Sequence, residues 1–130
     1  MRDLRDRTLS RNHGLKIRLG LFALTALAAL IGVSIWATGH ISIAPVIDDL
    51  WTDPGAGNNP WFVATMFDAY FGFLWFWSWV AYKERSWGSR LIWLVLILAL
   101  GNMAMAIYVL IQLFRLPADA KVEDLLLRRG

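Results

Sequence analysis

The chain contains no cysteine, which excludes disulfides, thiol nucleophiles, CxxC redox pairs and thiolate-held iron–sulfur clusters. Charge is also scarce. Only 18% of its residues are Asp, Glu, Lys or Arg, against about 25% in soluble domains. With 58% hydrophobic residues in a length of 130, it is too apolar for a soluble domain and too short to carry one beside a set of membrane spans. Histidine is limited to His13 and His40, which lie outside the long apolar segments, so no mid-helix imidazole is present to ligate a chlorin. No nucleophile–base pair, metal-ligand spacing, phosphate-binding loop or paired carboxylate is found. This leans away from catalysis and toward an all-α membrane protein.

Three apolar segments are present instead. Residues 15–39, 61–82 and 91–114 are each long enough to cross a hydrocarbon core of about 30 Å at about 1.5 Å per residue. They predict three transmembrane helices within a domain of residues 19–116, with a basic tail at 1–18 and a loop at 40–60. Residues 117–130 form a C-terminal tail with an amphipathic helical pattern in Val122, Leu125 and Leu126. The first segment exceeds the about 7–15 residues of a cleavable signal core. The sequence Trp36-Ala37-Thr38-Gly39-His40 is also a poor cleavage site, so an uncleaved helix is expected.

The thirteen Lys and Arg form three groups. Arg2, Arg5, Arg7, Arg11, Lys16 and Arg18 open the chain, Lys83, Arg85 and Arg90 fill the second turn, and Arg115, Lys121, Arg128 and Arg129 end it. The loop at 40–60 has none and carries Asp48, Asp49 and Asp53. The positive-inside rule places the N-terminus and second turn in the cytoplasm and the acidic loop outside the inner (plasma) membrane. Three spans put the C-terminal tail outside, where its basic residues are disfavoured; a tail that turned back would remove the conflict. Within the loop, residues 45–51 suit a short surface helix with Trp51 at the headgroup level. PGAGNNP at 54–60 reads as a turn-rich linker. His40 with Asp48, Asp49 and Asp53 matches no metal-ligand spacing, so a solvated acidic loop is expected and no metal. Asp3, Asp6 and the adjacent span favour membrane orientation over nucleic-acid binding as the role of the basic tail.

One carboxylate, Asp68, interrupts the second segment, which is half aromatic. An acid at that depth is costly unless it is partnered or wetted, which makes it a candidate functional group. Counting at about 1.5 Å per residue puts Asp68, Asn102 and Ser34 of three helices in one layer. Ala64, Asp68 and Gly72 share a stripe, as do Ala99, Asn102 and Ala106, and Ala28 with Gly32 gives the first helix a small-residue face. These stripes predict helix packing closed by a hydrogen bond between a protonated Asp68 and the Asn102 amide. A proton-relay or ligand-contact role for Asp68 stands beside that structural one.

The rings of Tyr70, Phe71, Trp75, Trp77 and Trp79 surround the second helix, so part of that surface must meet lipid, a protein partner or a ligand. The expected function is a non-catalytic accessory, structural or assembly subunit of a larger membrane complex, or a homo-oligomer. Binding of a lipid, quinone or pigment with Asp68 and Asn102 as polar contacts is the alternative. A proton-coupled carrier, which needs an oligomer to enclose a pathway, is the weaker one. No cofactor is expected.

Trp79-Val80-Ala81-Tyr82-Lys83-Glu84 followed by Ser86-Trp87, and then Gly101, Tyr108 and Gln112-Leu113-Phe114, form a recognisable block. With Pro60-Trp61-Phe62 and Phe67-Asp68 before it, residues 60–116 resemble the DUF1475 family of small membrane proteins of unknown function. The resemblance implies several membrane spans and transfers no catalytic residue.

Overall fold

The computed structural model describes residues 2–53 and 60–128, and every regular element among them is a helix. Of the linker expected at 54–60, residues 54–59 lie outside the described residues, as does Arg129. Helix α1 is Arg2–His40, α2 Ile43–Thr52, α3 Pro60–Lys83, α4 Trp87–Leu100, α5 Asn102–Arg115 and α6 Glu123–Leu126. Among the described residues, α1 alone is both long enough and apolar enough by hydropathy to cross a membrane. Helix α3 has the length, at 24 residues, but its Trp and Tyr rings contribute little to a hydropathy average.

The basic tail expected at 1–18 is the first part of α1. Asp3 sits in the first turn, where it favours the positive end of the helix dipole and pairs with Arg7 at 3.1 Å. Helix α2 matches the surface helix expected at 45–51. It has an uncovered apolar face and no buried residue, the character of a helix lying in an interface.

The third segment departs most from expectation. It is two helices of 14 residues each, broken at Gly101. Gly101 has φ 56° and ψ −127°, close to the first central position of a type II′ turn, a conformation Gly adopts without the Cβ penalty. The chain reverses there. The Gly101 N–H still donates to Ile97 O at 2.7 Å, and its carbonyl accepts from Met105 N at 3.2 Å, so both backbone groups of Gly101 are satisfied. Helices α4 and α5 therefore form a hairpin, and a continuous helix over 91–114 is not found. Composition favours a helix on both sides of Gly101; the bend comes from one residue's backbone and from Phe73, whose Cζ would lie 2.9 Å from a Cβ at position 101.

Helix α5 is consequently the centre of the fold. Its outer flank packs antiparallel on α1, with Leu113 near Gly20 and Met103 beside Ile31 and Ser34. Its other flank meets α3 and α4 in a core of Val80, Ile97, Ala104 and Tyr108. The face of α1 used for packing runs through Gly20 and Ala23, the latter buried. The stripe of Ala28 and Gly32 expected to pack is exposed, and a Cβ at Gly32 would meet nothing within 4 Å.

The reversal also corrects the placement of the C-terminal tail. Residues 117–128 lie against the basic start of α1 and the end of α3, not at the opposite end of the bundle. Lys16 Nζ donates to Pro117 O at 3.0 Å, Trp79 Nε1 to Leu126 O at 3.2 Å, and Arg128 N to Tyr82 Oη at 3.4 Å. The amphipathic helix expected at 118–130 shortens to the four residues of α6. Lys83 fixes that end by donating to the carbonyls of Leu125 at 2.7 Å and Leu127 at 2.9 Å, as cations do at helix C-termini. Ala120 and Leu125 are buried there.

Candidate functional site: the Glu84–Tyr108 cluster and its cleft

Tyr108 is fully buried in a collar of edge-on rings. Trp93 lies 4.8 Å away centroid to centroid, Trp79 5.5 Å and Phe76 6.2 Å, all near perpendicular. Edge-to-face pairs of this kind contribute about 0.5–1.5 kcal/mol each beyond the area they bury. A buried phenol also needs a polar partner, and Tyr108 Oη donates to Glu84 Oε1 at 3.0 Å. Glu84 Oε2 accepts from Ser89 Oγ at 2.6 Å, and the Glu84 carbonyl from Arg90 Nε at 3.0 Å. One residue in the α3–α4 turn thus ties the start of α4 to the middle of α5. Ser86 caps α4 by accepting from Ser89 N at 3.1 Å, as preferred N-cap residues do.

Beside this cluster opens a cleft of about 370 Å³ lined by Lys83, Glu84, Arg85, Ser86, Gln112, Arg115 and Leu116. Gln112 is only 8% exposed. Its amide makes no hydrogen bond to a described protein group, and no described buried side-chain nitrogen or oxygen is left unsatisfied. The amide therefore reaches the cleft. Three cations and one carboxylate, already engaged by Tyr108 and Ser89, make the cleft electropositive. Such a lining can hold a polar or anionic group; it has no nucleophile–base pair. No group of three or more His, Cys, Asp or Glu that could hold a metal ion occurs among the described residues.

The residues expected to carry function fall elsewhere. Asp68 is exposed on α3 and Asn102 exposed at the start of α5, with no hydrogen bond between them. Ser34 lines a shallow apolar cleft with Met103, the neighbour of Asn102. Of the small residues, Ala106 is buried in the bundle, whereas Ala64, Gly72 and Ala99 are exposed. Among the rings, Tyr70, Phe71 and Trp75 face outward. Trp77 and Trp79 turn in, because α4, α5 and the tail cover that side of α3: Trp77 Nε1 donates to Arg90 O at 2.9 Å and Trp79 Nε1 to Leu126 O.

Glu84 and Gln112 were not singled out for function. Their only signal was position: an acid in a basic turn, and an amide near the end of an apolar segment.

Every regular element among the described residues is a helix, one of them is by length and composition able to cross a membrane, and a glycine-broken hairpin packs on α1 and α3. The chain belongs to the family described as Protein of unknown function (DUF1475), which it matches over residues 4–130. The match reaches beyond residues 60–116 to both ends, as the packing of the tail on α1 and α3 makes reasonable. No curated protein and no solved structure matches the chain.

Proposed function

We propose that the protein is a multi-pass inner-membrane subunit without catalytic activity, which docks onto another membrane helix through the outer face of α3. In this reading α1 and α3 cross the bilayer, the α4–α5 hairpin enters and returns, and both tails lie in the cytoplasm. The positive-inside rule supports that placement. The basic groups around Lys16, Lys83 and residues 117–128 meet at one end of the bundle, and the described acids of the loop, Asp48, Asp49 and Asp53, follow the opposite end of α1 in the chain.

The observation that carries the docking reading is Asp68. It stands exposed on α3, makes no hydrogen bond or ion pair with a described residue, and shares its stripe with Trp61, Ala64, Phe71, Gly72 and Trp75, all exposed. Facing lipid, an ionised carboxylate at a helix centre costs about 2.5–3.5 kcal/mol on insertion scales. A donor on a neighbouring helix removes that cost, and the Ala64 and Gly72 collar lets a second backbone approach closely. A second copy of the chain or a different subunit would serve.

Purification of the tagged full chain from native membranes in mild detergent tests this. Wild type should elute as a complex, and Asp68→Leu should elute smaller with unchanged thermal stability, since Asp68 bonds to no described residue. Recovery of wild type only as a monomer overturns the proposal. A small molecule that co-purifies with wild type and is lost in Asp68→Asn would instead favour lipid, quinone or pigment binding on this face.

A further inference from the structure

We infer that the cleft between the α3–α4 turn and the end of α5 is a binding site for a phosphate-type anion. Lys83, Arg85 and Arg115 line a volume of about 370 Å³; the Lys83 ammonium, which donates to the Leu125 and Leu127 carbonyls, adds its charge, and the two guanidinium groups are the candidate direct ligands. The only acid in the lining, Glu84, has both carboxylate oxygens occupied by hydroxyl donors. Neutral donors complete the set: the Ser86 hydroxyl, and the amide of Gln112, a residue only 8% exposed whose amide opens on the cleft and bonds to no described protein group. Its N–H and C=O groups are therefore open to a group that enters the cleft. Ser86 is also the N-cap of the 14-residue α4, so the positive end of that helix adds to the potential. Guanidinium groups favour phosphate because their forked donors match its oxygens.

Two sources supply such a group: the headgroup of an anionic phospholipid and a soluble phosphate. Phe114, beside Arg115, is 85% exposed, an apolar neighbour suited to acyl chains. Basic pockets on the cytoplasmic side of helix bundles take anionic headgroups in this way. The anion site stands on the cleft's own geometry; only its lipid source rests on the membrane placement proposed above.

The test is native mass spectrometry of the full-length protein in detergent, titrated with phosphatidylglycerol, phosphatidylcholine or inorganic phosphate alone. Three proteins are compared: wild type, Arg115→Glu, and Arg11→Gln as a basic-residue control outside the cleft. Arg115 is exposed and makes no bond on which folding depends, so the variant should fold, and its thermal melt verifies that. A headgroup site predicts that wild type and Arg11→Gln retain phosphatidylglycerol over phosphatidylcholine, with a loss of roughly tenfold or more in Arg115→Glu. A soluble-anion site predicts no lipid preference but inorganic phosphate adducts lost in the same variant. The inference is overturned if Arg115→Glu binds every probe as wild type does, or if Arg11→Gln loses binding equally. Failure of the membrane placement shows separately, as failure of the protein to float with phosphatidylcholine vesicles.

Discussion

The rings of Trp93 and Tyr108 lie 4.8 Å apart at 78°, although an unbroken helix would hold these residues about 22 Å apart. Everything distinctive about the fold follows from that contact. Gly101 reverses the chain, Tyr108 enters the ring collar, its hydroxyl reaches Glu84, and the last residues return to the end where α1 begins.

Gly101→Ala should destabilise the protein by about 1–3 kcal/mol, the cost of holding a non-glycine residue in a backbone region nearly reserved for Gly. The added methyl also meets Phe73 Cζ at 2.9 Å. Phe73→Leu in the same background should recover the steric part and leave the backbone part. Denaturant unfolding in detergent of the two single variants and the double variant separates the two. A Gly101→Ala protein as stable as wild type would mean that the bend is not required.

Tyr108→Phe keeps the ring and removes the donor to Glu84. Hydrogen bonds to charged groups are worth about 1.5–3 kcal/mol, so a loss of that size is expected. Glu84→Gln, which keeps an acceptor for Tyr108, should be milder. Tyr108→Ala should cost more than either, about 3–5 kcal/mol as for other large-to-small core changes. Thermal melts of the three variants should follow that order.

The tail is held by the ammonium of Lys83 and the indole of Trp79. Lys83→Met should loosen it, so limited trypsin digestion should cut at Lys121 and Arg128 faster than in wild type while the hairpin survives. Equal rates would show that Ala120 and Leu125 hold the tail without Lys83.

The helical architecture was legible because apolar length and charge position decide it. Residues 61–82 fall within α3, and residues 45–51 within α2. The hairpin was not legible, because Gly is common in membrane helices and its neighbours on both sides are good helix formers. On the proposed membrane placement, the conflict of Arg115, Lys121 and Arg128 with the positive-inside rule is the trace it leaves in the sequence. The expected Asp68–Asn102 bond failed for the same reason. The depth count assumed that α3 and one straight third helix lie side by side, whereas α5 turns toward α1 at Asn102. Glu84 escaped notice because hydrophilic turns are expected to hold acids, and only the reversal brings Tyr108 to it.

The absence of cysteine allows the most direct test of the reversal. Ser10→Cys, Asp49→Cys and Asp119→Cys each place one thiol at an exposed position, and a membrane-impermeant maleimide reads their side in spheroplasts and in inverted vesicles. With the membrane placement proposed above, the hairpin at Gly101 predicts that positions 10 and 119 label from the cytoplasmic face and position 49 from the opposite one. Labelling of position 119 together with position 49 would mean that residues 91–114 cross the membrane as one helix, and would contradict the account.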